Sequence, residues 1–139
     1  QELEGLKIFR ARCASCHAEP LFTDNSFRNI GLKPDTAVGD SGRAAITGLQ
    51  SDFMKFKVPS LRNVEMTYPY MHDGRISKLK DVIKHYTLLD YSNPLLSKEL
   101  RKNPVRLSEN EQKDLLAFLK TLTDKTFLFD ERFKYSTIK

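Results

Sequence analysis

Apolar residues at the start of the chain follow the period of a helix. Leu3, Leu6 and Phe9 recur every three residues within residues 2–12, a spacing that puts side chains on one helical face. Five of the other eight residues in this segment are charged, so the opposite face is expected to meet solvent. This pattern predicts a helix over residues 2–12.

A second helix is predicted near the other end of the chain, in residues 108–123. Ser108 stands at its start and Glu111 follows three residues later, which is the pairing of a capping box. Leu115 and Leu119 then lie four residues apart on what becomes an apolar stripe. The combination of a cap and a stripe makes this the clearest helix in the sequence.

The middle of the chain is predicted to be mostly irregular, with one further helix. Residues 18–60 are rich in turn-forming residues, and short helical turns are expected near residues 43–49 and 59–65. Residues 77–89 carry apolar side chains at helical spacing and predict a helix, whereas the prolines in residues 90–107 predict a loop. No internal repeat or strand alternation is found. The fold class is therefore mainly α, a single domain with long irregular loops.

The length and charge of the chain indicate how many domains it has and which kinds of partner it can bind. The 139 residues suit one domain, which we place at residues 1–123, and residues 124–139 are expected to form an extension packed on it. The net charge of +5 comes from lysines and arginines spread along the sequence, which argues against nucleic acid as a partner. No apolar run reaches the roughly 18 residues of a membrane-spanning helix.

Both cysteines of the chain lie in residues 13–17, C-A-S-C-H. This C-x-x-C-H spacing is typical of covalent haem attachment, in which Cys13 and Cys16 form thioethers with the haem and His17 ligates the iron. A zinc site would need two more ligands, and the two remaining histidines bring no second cysteine pair. A thioredoxin-like redox pair would need a βαβ context, and a chance occurrence of the motif in a core is the last alternative. We favour one covalently bound haem c.

The motif leaves the second axial ligand of the iron open. Cytochromes use methionine or histidine at this position, and some haem proteins use tyrosine. Most methionines fill cores, and most buried tyrosines simply hydrogen-bond through the hydroxyl, so residue type alone does not choose between the candidates. The side chains that we consider are Met54, Met66, Met71, His72, His85 and Tyr86.

Residues 56–75, FKVPSLRNVEMTYPYMHDGR, resemble the signature of bacterial di-haem cytochrome c peroxidases and their MauG-type relatives. Residues 20–24, residues 40–43 and the predicted helix around residues 79–86 fit the same family. The resemblance extends over about residues 5–122 and corresponds to the C-terminal haem domain of these proteins. It implies a cytochrome c-like fold. The N-terminal domain of the family, with its own haem where peroxide reacts, is not in this sequence.

The resemblance implies a choice of distal ligand. In the family, this ligand lies fourteen residues after the histidine of the P-Y-x-H-D-G loop, and counting from His72 reaches Tyr86. Peroxidases of the family usually have methionine there, and MauG-type proteins have tyrosine. Met71, in the same loop, is the alternative. We favour Tyr86 over Met71, because the position matches the MauG-type pattern.

Further contacts with the cofactor are implied by the same resemblance. Arg62 and Lys57 are expected to pair with the haem propionates, because a cation pairs well with a carboxylate. Phe22, Phe27 and Leu61 are expected to form part of the pocket wall. No residue of this chain is expected to act as an acid–base catalyst.

The resemblance also implies a possible calcium site at the edge between the two haem domains. In the family, backbone carbonyls of the P-Y-x-H-D-G loop contribute to it, and these positions map to Thr67 and Pro69. Carbonyl oxygens suit Ca²⁺. A further ligand is expected from the N-terminal domain.

Gly5 is expected to mark a helix crossing. The first and last helices of cytochrome c folds cross at close range, which implies that Gly5 and Phe9 pack against Phe118 and Leu119. A glycine inside a helix costs roughly 1 kcal/mol relative to alanine, and close packing would offset that cost.

Three functions are compatible with these features. The resemblance favours an electron-transfer domain of a cytochrome c peroxidase or MauG-like oxidoreductase, which relays electrons from a small cytochrome or copper protein to the haem of an N-terminal domain. A stand-alone mono-haem carrier is the second possibility, and a haem-based sensor is the third. As part of a cytochrome c peroxidase-like protein the chain would belong to an enzyme, whereas the isolated domain is expected to lack full activity. Haem c is attached outside the cytoplasm, so a periplasmic or otherwise exported protein is expected.

Overall fold

The computed structural model describes residues 1–35 and 39–133. Residues 36–38 of the predicted irregular region and residues 134–139 of the predicted extension lie outside the described residues. The helices are α1 Glu2–Arg12, α2 Ala44–Thr47, α3 Leu79–Thr87, α4 Lys98–Lys102, α5 Glu109–Thr121 and α6 Lys125–Leu128. Three 3-10 turns cover Gln50–Asp52, Val64–Met66 and Glu131–Phe133, and two short strands are β1 Phe27–Arg28 and β2 Phe56–Lys57. The mainly α class is confirmed.

The capping box predicted at the start of α5 is present. The Ser108 hydroxyl accepts a hydrogen bond from the Glu111 N–H, and the Glu111 carboxylate accepts one from the Ser108 N–H at 2.8 Å. The two bonds satisfy backbone donors that a helix start otherwise leaves unpaired. Leu115, Phe118 and Leu119 then lie buried on one face of α5.

Helices α1 and α5 make the most extensive helix–helix contact in the described part of the chain, and Gly5 lies at their crossing. A Cβ added to Gly5 would lie 2.0 Å from the Asp114 carbonyl oxygen and 2.7 Å from the Phe118 Cβ. Phe9, one turn further along α1, is fully buried, with its ring centroid 5.1 Å from that of Phe118. The expected role of Gly5 at the crossing is therefore confirmed by the packing.

Helix α3 completes the core, with Leu79 and Ile83 buried. They belong to one cluster with Phe9 of α1 and with Leu115 of α5. Three helices that are far apart in sequence therefore share a single apolar core.

The structure corrects two details of the predicted elements. Strands β1 and β2 form a two-residue antiparallel pair that the sequence did not signal, with Phe27 opposite Lys57. Helix α4 interrupts the predicted loop at residues 90–107.

The start of the C-terminal extension is fixed by the Asp124 N–H, which donates to the Asn63 side chain at 2.6 Å. Three phenylalanines of the extension remain exposed: Phe127, Phe129 and Phe133.

Within residues 1–35 and 39–133, every helix is too short or too polar to cross a bilayer.

Candidate functional site

A cavity of about 320 Å³ opens between α1, α3 and α5. Its walls are mainly apolar and include Phe9 from α1, Ile83 from α3, and Leu115 and Leu119 from α5. These side chains belong to the core cluster, so the cavity is a continuation of the hydrophobic core. A concave, largely apolar site of this kind suits a large planar cofactor.

The two thiols lie where α1 runs into this cavity. Cys13 caps the helix, its N–H donating to the Phe9 carbonyl at 2.8 Å, and both Cys13 and Cys16 line the cavity as free thiols. Burial raises the pKa of Cys13 to about 12. A thiol held protonated in this way is a poor redox nucleophile at neutral pH, which argues against the dithiol alternative.

His17 is oriented by two backbone carbonyls from other parts of the chain. Its Nδ1 lies 3.1 Å from the Phe22 carbonyl oxygen and 3.2 Å from the Pro59 carbonyl oxygen. Since carbonyls only accept, the proton is assigned to Nδ1, and Nε2 is left with its lone pair. A ligating histidine has this arrangement. Burial lowers the pKa of His17, so the ring stays neutral, as a metal ligand must be.

The backbone conformation of Phe22 helps to position its carbonyl oxygen next to His17. Phe22 has a φ of 54°, a left-handed conformation that is uncommon for a residue with a side chain. Its ring packs against Phe9 of the core, with the centroids 5.5 Å apart. Phe22 was expected in the pocket wall; it lies behind the wall, against the core, and its carbonyl orients His17.

Both candidates for the distal ligand face the cavity. Tyr86 projects from α3, and burial together with the nearby thiols of Cys13 and Cys16 raises its pKa. Met71 lines the cavity from the loop before α3, with a φ of 74°. The cavity therefore holds the motif and both candidate ligands.

The remaining residues expected near the cofactor fall into two groups. Lys57 and Leu61 line the cavity. Arg62 is exposed and is not part of the lining, and Phe27 lies in β1, where its ring stacks against the Arg43 guanidinium at 4.2 Å.

Three polar residues at the cavity had no signal in the sequence. Arg28 lines it with its guanidinium 3.1 Å from the Asp24 carboxylate and 3.3 Å from that of Glu99. The atom that faces Glu99 is Nε, which is buried and pairs with this carboxylate without the geometry of a hydrogen bond. Asn103 also lines the cavity and accepts from Arg12 at 2.6 Å. Glu99 lies in the first turn of α4 and Asn103 caps its C-terminal end. The loop prediction missed this helix, so these two residues could not be placed beforehand.

His72 reaches the rim of the cavity by stacking on an aromatic ring. The rings of His72 and Phe56 are nearly parallel, with centroids 3.7 Å apart, and both line the cavity. The His72 Nε2 lies 3.8 Å from the neighbouring Asp73 carboxylate, too far for a hydrogen bond. Asp73 instead accepts from Arg75 at 2.6 Å.

The loop that supplies the calcium positions of the resemblance is at the surface. Thr67 and Pro69 are both exposed, and Thr67 ends the 3-10 turn Val64–Met66. Within residues 1–35 and 39–133, no group of three or more His, Cys, Asp or Glu side chains could hold a metal ion. The zinc alternative therefore lacks a side-chain ligand set in this part of the chain.

The residues around the cavity fit a c-type haem. The apolar walls suit the macrocycle, and the two thiols and the lone pair of His17 are the groups that such a haem requires. The Lys57 ammonium, which lines the cavity, is a cationic group suited to its carboxylates, whereas the Arg28 guanidinium is already paired with Asp24 and Glu99.

Comparison with known proteins agrees with this geometry. The cytochrome c family matches residues 3–123. Over 120 residues the chain is 43% identical to the methylamine utilization protein MauG of Methylorubrum extorquens, an alignment that covers 85% of this chain and 33% of that protein. It is 37% identical over 125 residues to the cytochrome c551 peroxidase of Nitrosomonas europaea, covering 88% of this chain and 34% of the relative. The chain thus spans about a third of the length of these relatives.

Solved structures show the same fold. A MauG-like protein associated with microbial copper homeostasis superposes with a TM-score of 0.84 at 31% identity, covering 96% of this chain and 50% of that one. The diheme peroxidase BthA from Burkholderia thailandensis superposes with a TM-score of 0.70 over 91% of this chain and 43% of its own. Because the two sequences are only 24% identical, this match shows a shared fold alone.

Proposed function

The chain belongs to the cytochrome c family and is homologous to MauG and to cytochrome c551 peroxidases over most of its length; on this premise we propose that it is the electron-relay haem domain of a di-haem peroxidase or MauG-like oxidoreductase. Membership of the family implies a covalently bound haem c, and homology to di-haem proteins implies a second haem domain as partner. The observation that carries the proposal is that one cavity is lined by Cys13, Cys16, His17 and Tyr86 together.

Each residue has a defined part in this proposal. Cys13 and Cys16 would hold one haem through thioether bonds, and His17, whose ring is oriented by the Phe22 and Pro59 carbonyls, would ligate the iron. When bound, the haem supplies a one-electron redox couple. The apolar walls of the cavity exclude water, and a low dielectric around the iron strengthens the influence of its ligands on the redox potential.

Tyr86 is the distal ligand that we favour over Met71. It projects from a helix packed into the core, whereas Met71 lies in a loop, and a ligand on a rigid element is better positioned. The raised pKa of Tyr86 means that its phenol is neutral until a cation is bound, so ligation would release a proton. A phenolate ligand favours the higher oxidation states of iron, whereas a thioether favours the reduced state.

The partners follow from the same assignment. The proposal places the second haem in an N-terminal domain of the same protein, where peroxide is reduced, with a small cytochrome or copper protein as the electron donor. Lys57 pairs with a haem carboxylate at the cavity; Arg62 is exposed and would need to turn inward to do so. Calcium bound by the Thr67 and Pro69 carbonyls would lie at the edge shared by the two domains. A periplasmic location follows from the attachment of haem c.

Peroxide turnover tests the proposal. The full-length protein and this chain alone are each given hydrogen peroxide and a reduced small cytochrome, and oxidation of the cytochrome is followed by absorption. We expect turnover by the full-length protein, and electron exchange without turnover by this chain. Turnover by this chain alone would contradict the relay role, and a full-length protein that exchanges electrons but never consumes peroxide would favour the simple carrier.

A further inference from the structure

The carbonyl of Tyr86 lies in the last turn of α3, where helix carbonyls lack an intrahelical partner. It accepts a hydrogen bond from the Tyr91 hydroxyl at 2.6 Å, and the Leu89 N–H approaches it at 3.4 Å. Of these two hydrogen bonds to the Tyr86 carbonyl, the shorter comes from the side chain of Tyr91, five residues further along the chain. Tyr91 itself is half-buried.

The same hydroxyl ties α3 to another wall of the cavity. The Tyr91 oxygen accepts a hydrogen bond from the Val105 N–H at 2.8 Å. Val105 is 4% exposed and lines the cavity. One hydroxyl thus donates to the backbone of Tyr86 and accepts from the backbone of Val105, so the spacing between these two walls depends on it.

A second contact holds the end of α3 from another direction. The His85 Nε2 lies 2.9 Å from the Ile30 carbonyl oxygen, and the rings of His85 and Tyr86 meet edge to face with centroids 5.6 Å apart. The end of α3 is therefore held by two contacts, from Tyr91 five residues further along and from His85 to the distant Ile30. Of the two side chains that make these contacts, Tyr91 is the one bonded to Tyr86 itself.

We propose that Tyr91 is a positioning residue for Tyr86, holding its phenol in place for the iron through the hydrogen bond to its carbonyl. The inference rests on the proposed role of Tyr86 as distal ligand. Tyr91 does not line the cavity, so its effect on the site passes through the backbone of Tyr86. Removing the hydroxyl leaves the phenol of Tyr86 intact but lets the end of α3 shift.

The test is Tyr91→Phe in the haem-loaded chain, read by imidazole binding to the oxidised protein in an absorption titration. A distal phenol that is held less firmly competes less well, so the imidazole affinity is expected to rise roughly fivefold, the effect of losing one ordinary hydrogen bond. The matched control is Thr123→Val, which removes the bond from Thr123 to the Glu65 carboxylate at 3.0 Å. This control is expected to lower the melting temperature while the imidazole affinity stays at the wild-type value.

Tyr86→Phe separates the failure of this inference from the failure of the proposed ligand. If Tyr86→Phe leaves the oxidised spectrum unchanged, the ligand assignment and the inference both fall. If it changes the spectrum while Tyr91→Phe binds imidazole with wild-type affinity, the inference alone is overturned. In the double variant, Tyr91→Phe should add nothing to Tyr86→Phe, and a further rise in affinity would show that Tyr91 acts independently of Tyr86.

A second single variant covers the case in which Tyr91→Phe does not fold. The Arg106 guanidinium lies 5.5 Å from the Tyr91 ring centroid, and Arg106 is exposed, so Arg106→Ala threatens the fold little. It is expected to raise the imidazole affinity in the same direction by a smaller factor. An unchanged affinity in this variant would then count against the inference.

Discussion

The carbonyl oxygen of Asp114 lies only 2.0 Å from the point where a Cβ of Gly5 would stand. The two helices α1 and α5 can therefore approach each other only because residue 5 has no side chain. The obstacle is backbone, which cannot rotate away as the end of a side chain can. Any larger residue must push the helices apart.

Gly5→Leu is expected to destabilise the domain by more than about 3 kcal/mol, because overpacking at a helix crossing displaces the core around Phe9. Ala11→Leu adds a side chain at an exposed position of the same helix and serves as the control. Urea unfolding followed by circular dichroism gives both values. Equal midpoints for Gly5→Leu and the control would refute the close-packing argument.

Ser108→Ala tests the capping box. It removes the hydroxyl that accepts from the Glu111 N–H, and loss of such a cap costs about 1 kcal/mol. The exposed Ser51→Ala is the control and is expected to change the unfolding free energy by less than about 0.5 kcal/mol. Thermal melting distinguishes the two, and a shift of equal size in both variants would argue against a specific cap.

Cys13→Ser combined with Cys16→Ser tests covalent attachment. Both thiols line the cavity beside His17, so the wild-type polypeptide is expected to keep its haem after denaturation. The double variant is expected to lose it. Haem staining of a denaturing gel and the intact mass of the chain report this directly. Haem that stays with the double variant under denaturing conditions would contradict the thioether assignment.

Two variants tell the candidate distal ligands apart. If Tyr86 is the ligand, Tyr86→Phe changes the absorption spectrum of the oxidised protein and raises its reduction potential, because a phenolate that stabilises Fe(III) is gone. Met71→Ala then leaves the spectrum unchanged. The opposite pattern, in which Met71→Ala lowers the potential and Tyr86→Phe has no effect, would identify Met71 and a high-potential relay.

Without the haem, the side chains of the core are expected to lose their ordered packing. An apolar cavity of about 320 Å³, at about 24 cal/mol per Å³, corresponds to at most about 8 kcal/mol, which is comparable to the whole stability of a domain. Chain expressed without haem attachment should therefore show weak near-ultraviolet circular dichroism and no cooperative melt. A sharp melting transition in the haem-free chain would show that the cavity closes without its cofactor.

Much of the fold was predictable from local patterns. The period of apolar residues located α1, α3 and α5, and Ser108 with Glu111 identified the start of α5, because helix periodicity and capping depend on residues within one or two turns. Helix α4 was missed, since its five residues follow a proline and bury no side chain. The strand pair was missed because two residues per strand give no alternation to detect.

The site was predictable only in its local part. The motif at residues 13–17 specified the thiols and the proximal histidine, since covalent attachment requires these residue types at this spacing. Long-range packing decided the rest: the Pro59 carbonyl lies 42 residues from His17 in sequence, and Arg28 reaches the cavity beside Glu99. Such contacts arise from folding of the whole core. The sequence alone therefore determined which chemistry the chain is equipped for, and the tertiary structure decided which side chains surround it and how His17 and Tyr86 are held.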